Sequence, residues 1–425
     1  MKVQLAYAKG SIEVNLPDSC KIDVIEPKFE PGYKDQVGKV REALQLPAGT
    51  KPLKEIARST DRVGIIFSDI SRATPYNILL PAIFAEIPHV PAENITLYNA
   101  TGTHRSNSED ELKQILGPGI VGKYRIIQND CKDTAAHRYI GTSKGGNKIF
   151  ILSDFLDCDV KILTGFIEPH FFAGFSGGGK AVMPGLATLE TVQYNHSAAN
   201  MDHPKSIWGI TEGNQLWEEV KEAAGFAKPT LLLNVALNRK KEITAVFAGD
   251  YVKAHKAGCE YVKKHAMAGV KKPYDIVITS NSGYPLDLNM YQAVKGMSAA
   301  SLIVKEGGHI IIAADCWDGI PSHGMYGQLL TSSATTEELL KKIRTPGFVM
   351  HDMWQAQIHA LICQKADVHF YSDNLTDEQI EQGFMLPCRN IDKRVEEIVK
   401  ALGGTASICV LPEGPQTIPY VESGG

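Results

Sequence analysis

The chain has 425 residues, 44% hydrophobic and 22% charged, with a formal net charge of -4 and a pI near 6.4. That length carries two ordinary domains with a substantial core, and the composition excludes a disordered chain. The slight acidity excludes a basic nucleic-acid footprint, so a small anionic ligand has to be met by local cations.

At the N-terminus Val3, Leu5 and Tyr7 alternate on one face and Ile12, Val14 and Leu16 on the next, with Lys9-Gly10 between them. The pattern predicts a hairpin over 2–16 and not a signal-peptide core. After a connection containing Pro27 and Pro31, residues 35–46 read as a helix. From residue 62 the apolar runs VGIIF (63–67), ITLYNA (95–100) and VKILTGF (160–166) alternate with helix-like segments. This is the rhythm of a mainly parallel sheet. Residues 250–273, rich in Lys and Ala, read as a linking helix, and a second series follows with DIVITS (275–280), HIIIAA (309–314) and DVHFYS (367–372).

The expected fold is therefore α/β: two α/β domains with mainly parallel sheets and an active-site cleft between them. The N-terminal domain is expected to span 1–268 and the C-terminal one 274–400, while residues 405–425, with a strand-like ICVL, could return to the first. No apolar run is long enough to cross a bilayer, so no membrane association is expected. The eight cysteines form no CxxC, which argues against a thiolate zinc site and for reduced thiols in a cytoplasmic protein.

Four polar clusters follow apolar runs: Asp69-Ile70-Ser71-Arg72, Thr101-Gly102-Thr103-His104, Glu168-Pro169-His170, and the pair Gln292 and Lys295. Open parallel sheets bind ligands beyond the carboxyl ends of their strands, where each of these clusters falls. A single histidine in such a place is more often a packing residue, Arg72 could simply pair with Asp69, and Gln292 with Lys295 could be a solvated helix face. Their coincidence supports an active site whose chemistry position alone leaves open.

The stretch EPHFFAGFSGGGKAVMP (168–184) is the most informative, with Gly174, Ser176, Gly177, Gly178 and Gly179 leading into Lys180. So much glycine permits close backbone approach to a ligand. Residues 174–180 fit the first seven places of G-x-x-x-x-G-K-[ST], but Ala181 lacks the hydroxyl that holds Mg²⁺ in a phosphate-binding loop. Thr188 and Glu190 mark a helix start that places His196 about two turns in. From spacing alone a packing role for His196 outranks a metal role.

DISR (69–72), TGTH (101–104), EPHFFAGFSGGGK (168–180), Asn195-His196, MYQAVKG (290–296) and Trp354 resemble, in order, the motifs of the lactate racemase apoprotein family. The resemblance implies a nickel-pincer nucleotide, a pyridinium-3-thioamide-5-thiocarboxylic acid mononucleotide carrying Ni(II). It implies that Lys180 anchors this group covalently, that His196 is the metal ligand, and that His104 and His170 are alternating acid and base. Arg72, Gln292 and Lys295 match substrate-placing residues. Asp69, Ser176, Gly177, Gly178, Gly179 and Trp354 fall to cofactor binding. It further implies transient partners that synthesise the cofactor and insert nickel. The expected activity is interconversion of L- and D-lactate by hydride transfer, with another 2-hydroxy acid (malate, short aliphatic or aromatic) as the alternative. A phosphate-transfer enzyme and a non-catalytic carrier are the more distant readings.

Overall fold

Val63–Ser68, Ile95–Ala100 and Val160–Phe166 are buried along almost their whole length, as strands covered on both faces require. They form the centre of a six-stranded sheet in a computed structural model that describes residues 1–28, 30–322 and 324–422. Its strand order is Ile243–Gly249, Leu231–Leu237, Val160–Phe166, Val63–Ser68, Ile95–Ala100 and Arg125–Gln128. All pairs are parallel except the edge pair of Leu231–Leu237 with Ile243–Gly249. Successive side chains go to opposite faces. Ile65 and Phe67 join one core with Leu97 and Ile162, whereas Ile66 joins another with Tyr98 and Leu163.

This sheet belongs to a unit of residues 29–196 and 203–265. A second unit comprises 1–28, 197–202 and 266–425. Its six-stranded sheet is parallel throughout, in the order Leu386–Pro387, Ala366–Tyr371, Val304–Ala313, Tyr274–Ser280, Ser407–Leu411 and Lys21–Val24. The N-terminal hairpin, Lys2–Tyr7 with Gly10–Asn15, puts Val3, Leu5, Tyr7 and Val14 into the same core as Ile276, Ile311 and Val410.

The boundaries expected from sequence therefore need correcting at both ends. Residues 1–28 pack with the C-terminal unit, not with the N-terminal one, because Lys21–Val24 pairs along Ser407–Leu411. The segment from 405 is part of the C-terminal sheet and does not return to the first unit; residues 423–425 lie outside the described ones. Among the described residues, no helix is long and apolar enough to cross a membrane.

Candidate active site

Three of the four clusters leave the carboxyl ends of neighbouring strands in the first unit. Asp69 and Arg72 follow Val63–Ser68, His104 follows Ile95–Ala100, and Glu168 and His170 follow Val160–Phe166. The order of these strands in the sheet brings the clusters together, although 96 residues separate Arg72 from Glu168.

Asp69 is buried, and both its oxygens have partners: Ser71 Oγ donates to Oδ1 at 2.7 Å, and His104 Nδ1 lies 2.6 Å from Oδ2. Burial pushes the Asp69 carboxyl up, but the hydrogen bonds from His104 and Ser71 and the Arg72 charge outweigh it and hold the group below its ordinary value. An ionised carboxylate only accepts hydrogen bonds, so His104 Nδ1 carries a proton, and Nε2 is the nitrogen left to face a ligand. Asp69 is thus engaged in orienting His104, a role its sequence context did not suggest. Arg72 does not pair with Asp69: its Nη1 donates to Glu168 Oε1 at 2.9 Å.

His170 has the opposite arrangement. The Ala173 amide donates to its Nδ1 at 3.3 Å, which leaves the ring proton on Nε2. Its ring meets the edge of Phe172 at 4.5 Å. Phe172 also meets His196 at 5.0 Å, and Lys180 Nζ stands 5.6 Å from the Phe172 ring centre. One phenyl ring therefore gathers His170, Lys180 and His196. Phe171 and Trp208, both buried, extend the aromatic wall. His196 is the residue just after the Leu189–Asn195 helix, not one within it; Thr188 caps the helix start as its sequence suggested. Burial, and then the nearby Lys180 ammonium, push the His196 pKa down to about 3, so the imidazole is neutral.

The glycine run owes its composition to protein packing. Gly177 and Gly178 have φ of 75° and 58°, which L side chains rarely adopt. A Cβ on Gly178 would lie 2.6 Å from His255, and one on Gly179 would lie 3.0 Å from Ala224. Ser176 Oγ accepts from the Glu168 amide and donates to the Phe166 carbonyl. The loop amides are committed too: Ser176 N to Glu168 O, Gly178 N to Asn234 Oδ1 and Lys180 N to Gly177 O. A phosphate-binding loop needs such amides turned towards an anion, and it leads into a helix longer than the four-residue turn Gly178–Ala181. The phosphate-transfer reading loses its support.

Gln292, Lys295 and Trp354 belong to the second unit. Gln292 and Lys295 lie on the Met290–Ser301 helix, both partly buried. Trp354 is 4% exposed on the Met353–Lys365 helix, and its ring lies 5.7 Å from that of His351. Glu168 and Phe172 were not singled out as site residues from sequence. Glu168 had a signal in the EPH motif, but nothing in the sequence tied it to Arg72.

Both parts of the chain have counterparts among known proteins. Residues 7–209 match the model of the lactate racemase N-terminal domain, and residues 270–418 match that of the lactate racemase C-terminal domain. A lactate racemase of Thermoanaerobacterium thermosaccharolyticum is 34% identical over 422 residues, 98% of each chain. One from Lactiplantibacillus plantarum is 37% identical over 377 residues, 88% of this chain and 89% of that one. The structure of the T. thermosaccharolyticum lactate racemase apoprotein superposes with a TM-score of 0.92 at 34% identity, covering all of both chains. A Thermotoga maritima protein, at 18% identity and a TM-score of 0.70 over 93% of this chain and all of that one, shares the fold. With both domains matched and the relatives aligned almost end to end, the chain belongs to the lactate racemase family.

Proposed function

We propose that this protein interconverts L- and D-lactate and that it does so with a nickel-pincer nucleotide held by Lys180 and His196. The gathering of Lys180, His196 and His170 around Phe172 carries the reading. The donor set fits the group. Metal ligation needs a neutral imidazole, and His196 is neutral far below pH 7. Among the described residues, no group of three or more His, Cys, Asp or Glu could hold a metal ion. Nickel here would take one ligand from the chain and the others from the sulfur-bearing cofactor, a mixed set that suits Ni(II). Lys180 would supply its amine as the covalent anchor. When bound, the group supplies an acceptor for the α-hydrogen of a 2-hydroxy acid as hydride.

The chain's own residues do the rest. His104 Nε2 takes the hydroxyl proton, and Asp69 stabilises the imidazolium that results. His170 is the partner for the other enantiomer: each ring takes a proton as the neutral imidazole and returns one as the imidazolium. The guanidinium of Arg72 suits a planar carboxylate, and Glu168 holds it in place. Gln292 and Lys295 are assigned to the substrate's polar groups. The buried rings of Phe171, Phe172 and Trp208 shield His170 and His196 from water.

The test is to make the protein with and without the enzymes that build and load such a cofactor. The loaded protein should racemise lactate, contain nickel and carry extra mass on the peptide holding Lys180. Lys180→Arg should lack that mass. Active wild-type protein with an unmodified Lys180 would refute the anchor. Malate and an aromatic 2-hydroxy acid run alongside would show whether lactate is the preferred substrate.

A further inference from the structure

The Gln215–Ala227 helix buries a carboxyl group, Glu219, that no step of the proposed reaction uses. Glu219 is 7% exposed. Its Oε1 accepts from Ser143 Oγ at 2.6 Å, and its Oε2 accepts from Asn147 Nδ2 at 3.0 Å and Asn195 Nδ2 at 2.7 Å. Burying a carboxyl group is costly unless its oxygens find partners, and here three neutral side chains occupy both of them.

The three donors come from two places. Ser143 and Asn147 lie in the turn between the strands His137–Thr142 and Lys148–Leu152. Asn195 is the last residue of the Leu189–Asn195 helix and directly precedes His196. The same Asn195 amide also donates to the Leu216 carbonyl at 3.2 Å, and Asn147 Nδ2 also donates to the Thr191 carbonyl at 3.0 Å. A seven-residue helix is too short to hold its own end in place. Glu219 ties that end to a longer helix on one side and to a hairpin turn on the other.

We propose that Glu219 is a positioning residue for His196: through Asn195 it fixes the end of the short helix and so aims the imidazole that stands beside Lys180 and Phe172. The proposal deepens the nickel reading and rests on it for the purpose of that aim. The geometry itself belongs to the chain.

Two variants separate geometry from charge. In Glu219→Gln the carbonyl oxygen can accept from both asparagine amides, while the new amide N–H donates to Ser143 Oγ, a hydroxyl that serves either way. Glu219→Ala removes every bond. His196 is read in unloaded protein by its imidazole ¹⁵N resonances, identified with His196→Gln, and in loaded protein by nickel retained on dialysis against a chelator. Glu219→Gln should keep the wild-type His196 resonances and most of the nickel. Glu219→Ala should shift those resonances and lose nickel affinity on the order of tenfold, as removal of a ligand's outer support does, with the mass on Lys180 still present. Should Glu219→Ala fail to fold, Asn195→Ala leaves the bonds of Glu219 to the hairpin turn in place, cuts the helix end from Glu219 and from the Leu216 carbonyl, and should give the same shift. Unmoved His196 resonances in a folded Glu219→Ala or Asn195→Ala protein would overturn the proposal. So would a Glu219→Gln protein as impaired as Glu219→Ala. Loaded wild-type protein without nickel would instead sink the cofactor reading and leave the resonance arm to judge Glu219.

Discussion

Acidification from pH 7 to pH 5 should weaken the first unit in a way that traces to two buried rings. Burial pushes His196 down to about 3 and His255 to about 4, from 6.5 in the unfolded chain. Between those values the unfolded state binds a proton that the folded state refuses, so stability is full above pH 6.5 and falls as pH falls. At pH 5 the unfolded imidazole is almost fully charged and the folded one almost fully neutral. The cost therefore depends on the pH interval and hardly on how far below 5 the folded value lies. It comes to about 1.4 pH units of proton uptake, or ~2 kcal/mol per histidine and ~4 kcal/mol for the pair. That is a large share of the roughly 5–15 kcal/mol by which domains are stable. The assay is hydrogen exchange of the buried strand Leu231–Leu237, which is paired on both sides within this unit, at pH 7 and pH 5 after correction for intrinsic exchange rates. His196→Phe, which keeps an aromatic ring against Phe172, should lose ~2 kcal/mol less than wild type over the same interval. Equal losses in the two proteins would refute the assignment of the acid sensitivity to a neutral, buried His196.

The substrate-facing residues make separate predictions. Asp69→Asn exchanges a charge-assisted hydrogen bond for a neutral one, worth about 1–2 kcal/mol, so racemisation by loaded protein should fall about 5–30-fold with the Lys180 adduct intact; an unchanged rate would remove Asp69 from the support of His104. Arg72→Lys should raise KM for lactate without changing cofactor mass, because an ammonium lacks the planar two-point grip; loss of cofactor with KM unchanged would move Arg72 to the cofactor's surroundings. In His104→Gln and His170→Gln, racemisation should stop while the absorbance of the bound cofactor still responds to one lactate enantiomer, a different one in each variant. Identical loss of both responses would refute the division of labour between the two rings.

Much of the fold was legible because local pattern and burial agree. Val63–Ser68 and Tyr274–Ser280 read as strands since both faces of each are covered, and the N-terminal hairpin read correctly from strict alternation. Strand pairing was not legible. Lys21–Val24 is short and has no fully buried residue, so nothing in its composition reveals that it extends the C-terminal sheet beside Ser407–Leu411. The same holds for Ser407–Leu411 itself, which lies between Tyr274–Ser280 and Lys21–Val24 although more than a hundred residues separate it from either.

The site divides along the same line. Residue types that carry chemistry, such as His104, His170, Lys180 and His196, stand out in a sequence because few other side chains can do their work. The groups that set their state do not stand out, since a carboxylate acquires its role only from what the fold puts beside it. Asp69 next to Arg72 invites an ion pair three residues apart, yet the fold gives Asp69 to His104 and Arg72 to Glu168. The exchange has a consequence for chemistry. With Arg72 on Asp69, His104 would lack the acceptor that fixes its proton on Nδ1, and both tautomers would be open to it. With Asp69 on His104 and the Ala173 amide on His170, the two rings are held with opposite nitrogens protonated. The fold thus turns Nδ1 of each ring towards its protein partner, and His170 can serve as an acid only as the imidazolium, since a neutral ring that gave up its Nε2 proton would be left as imidazolate.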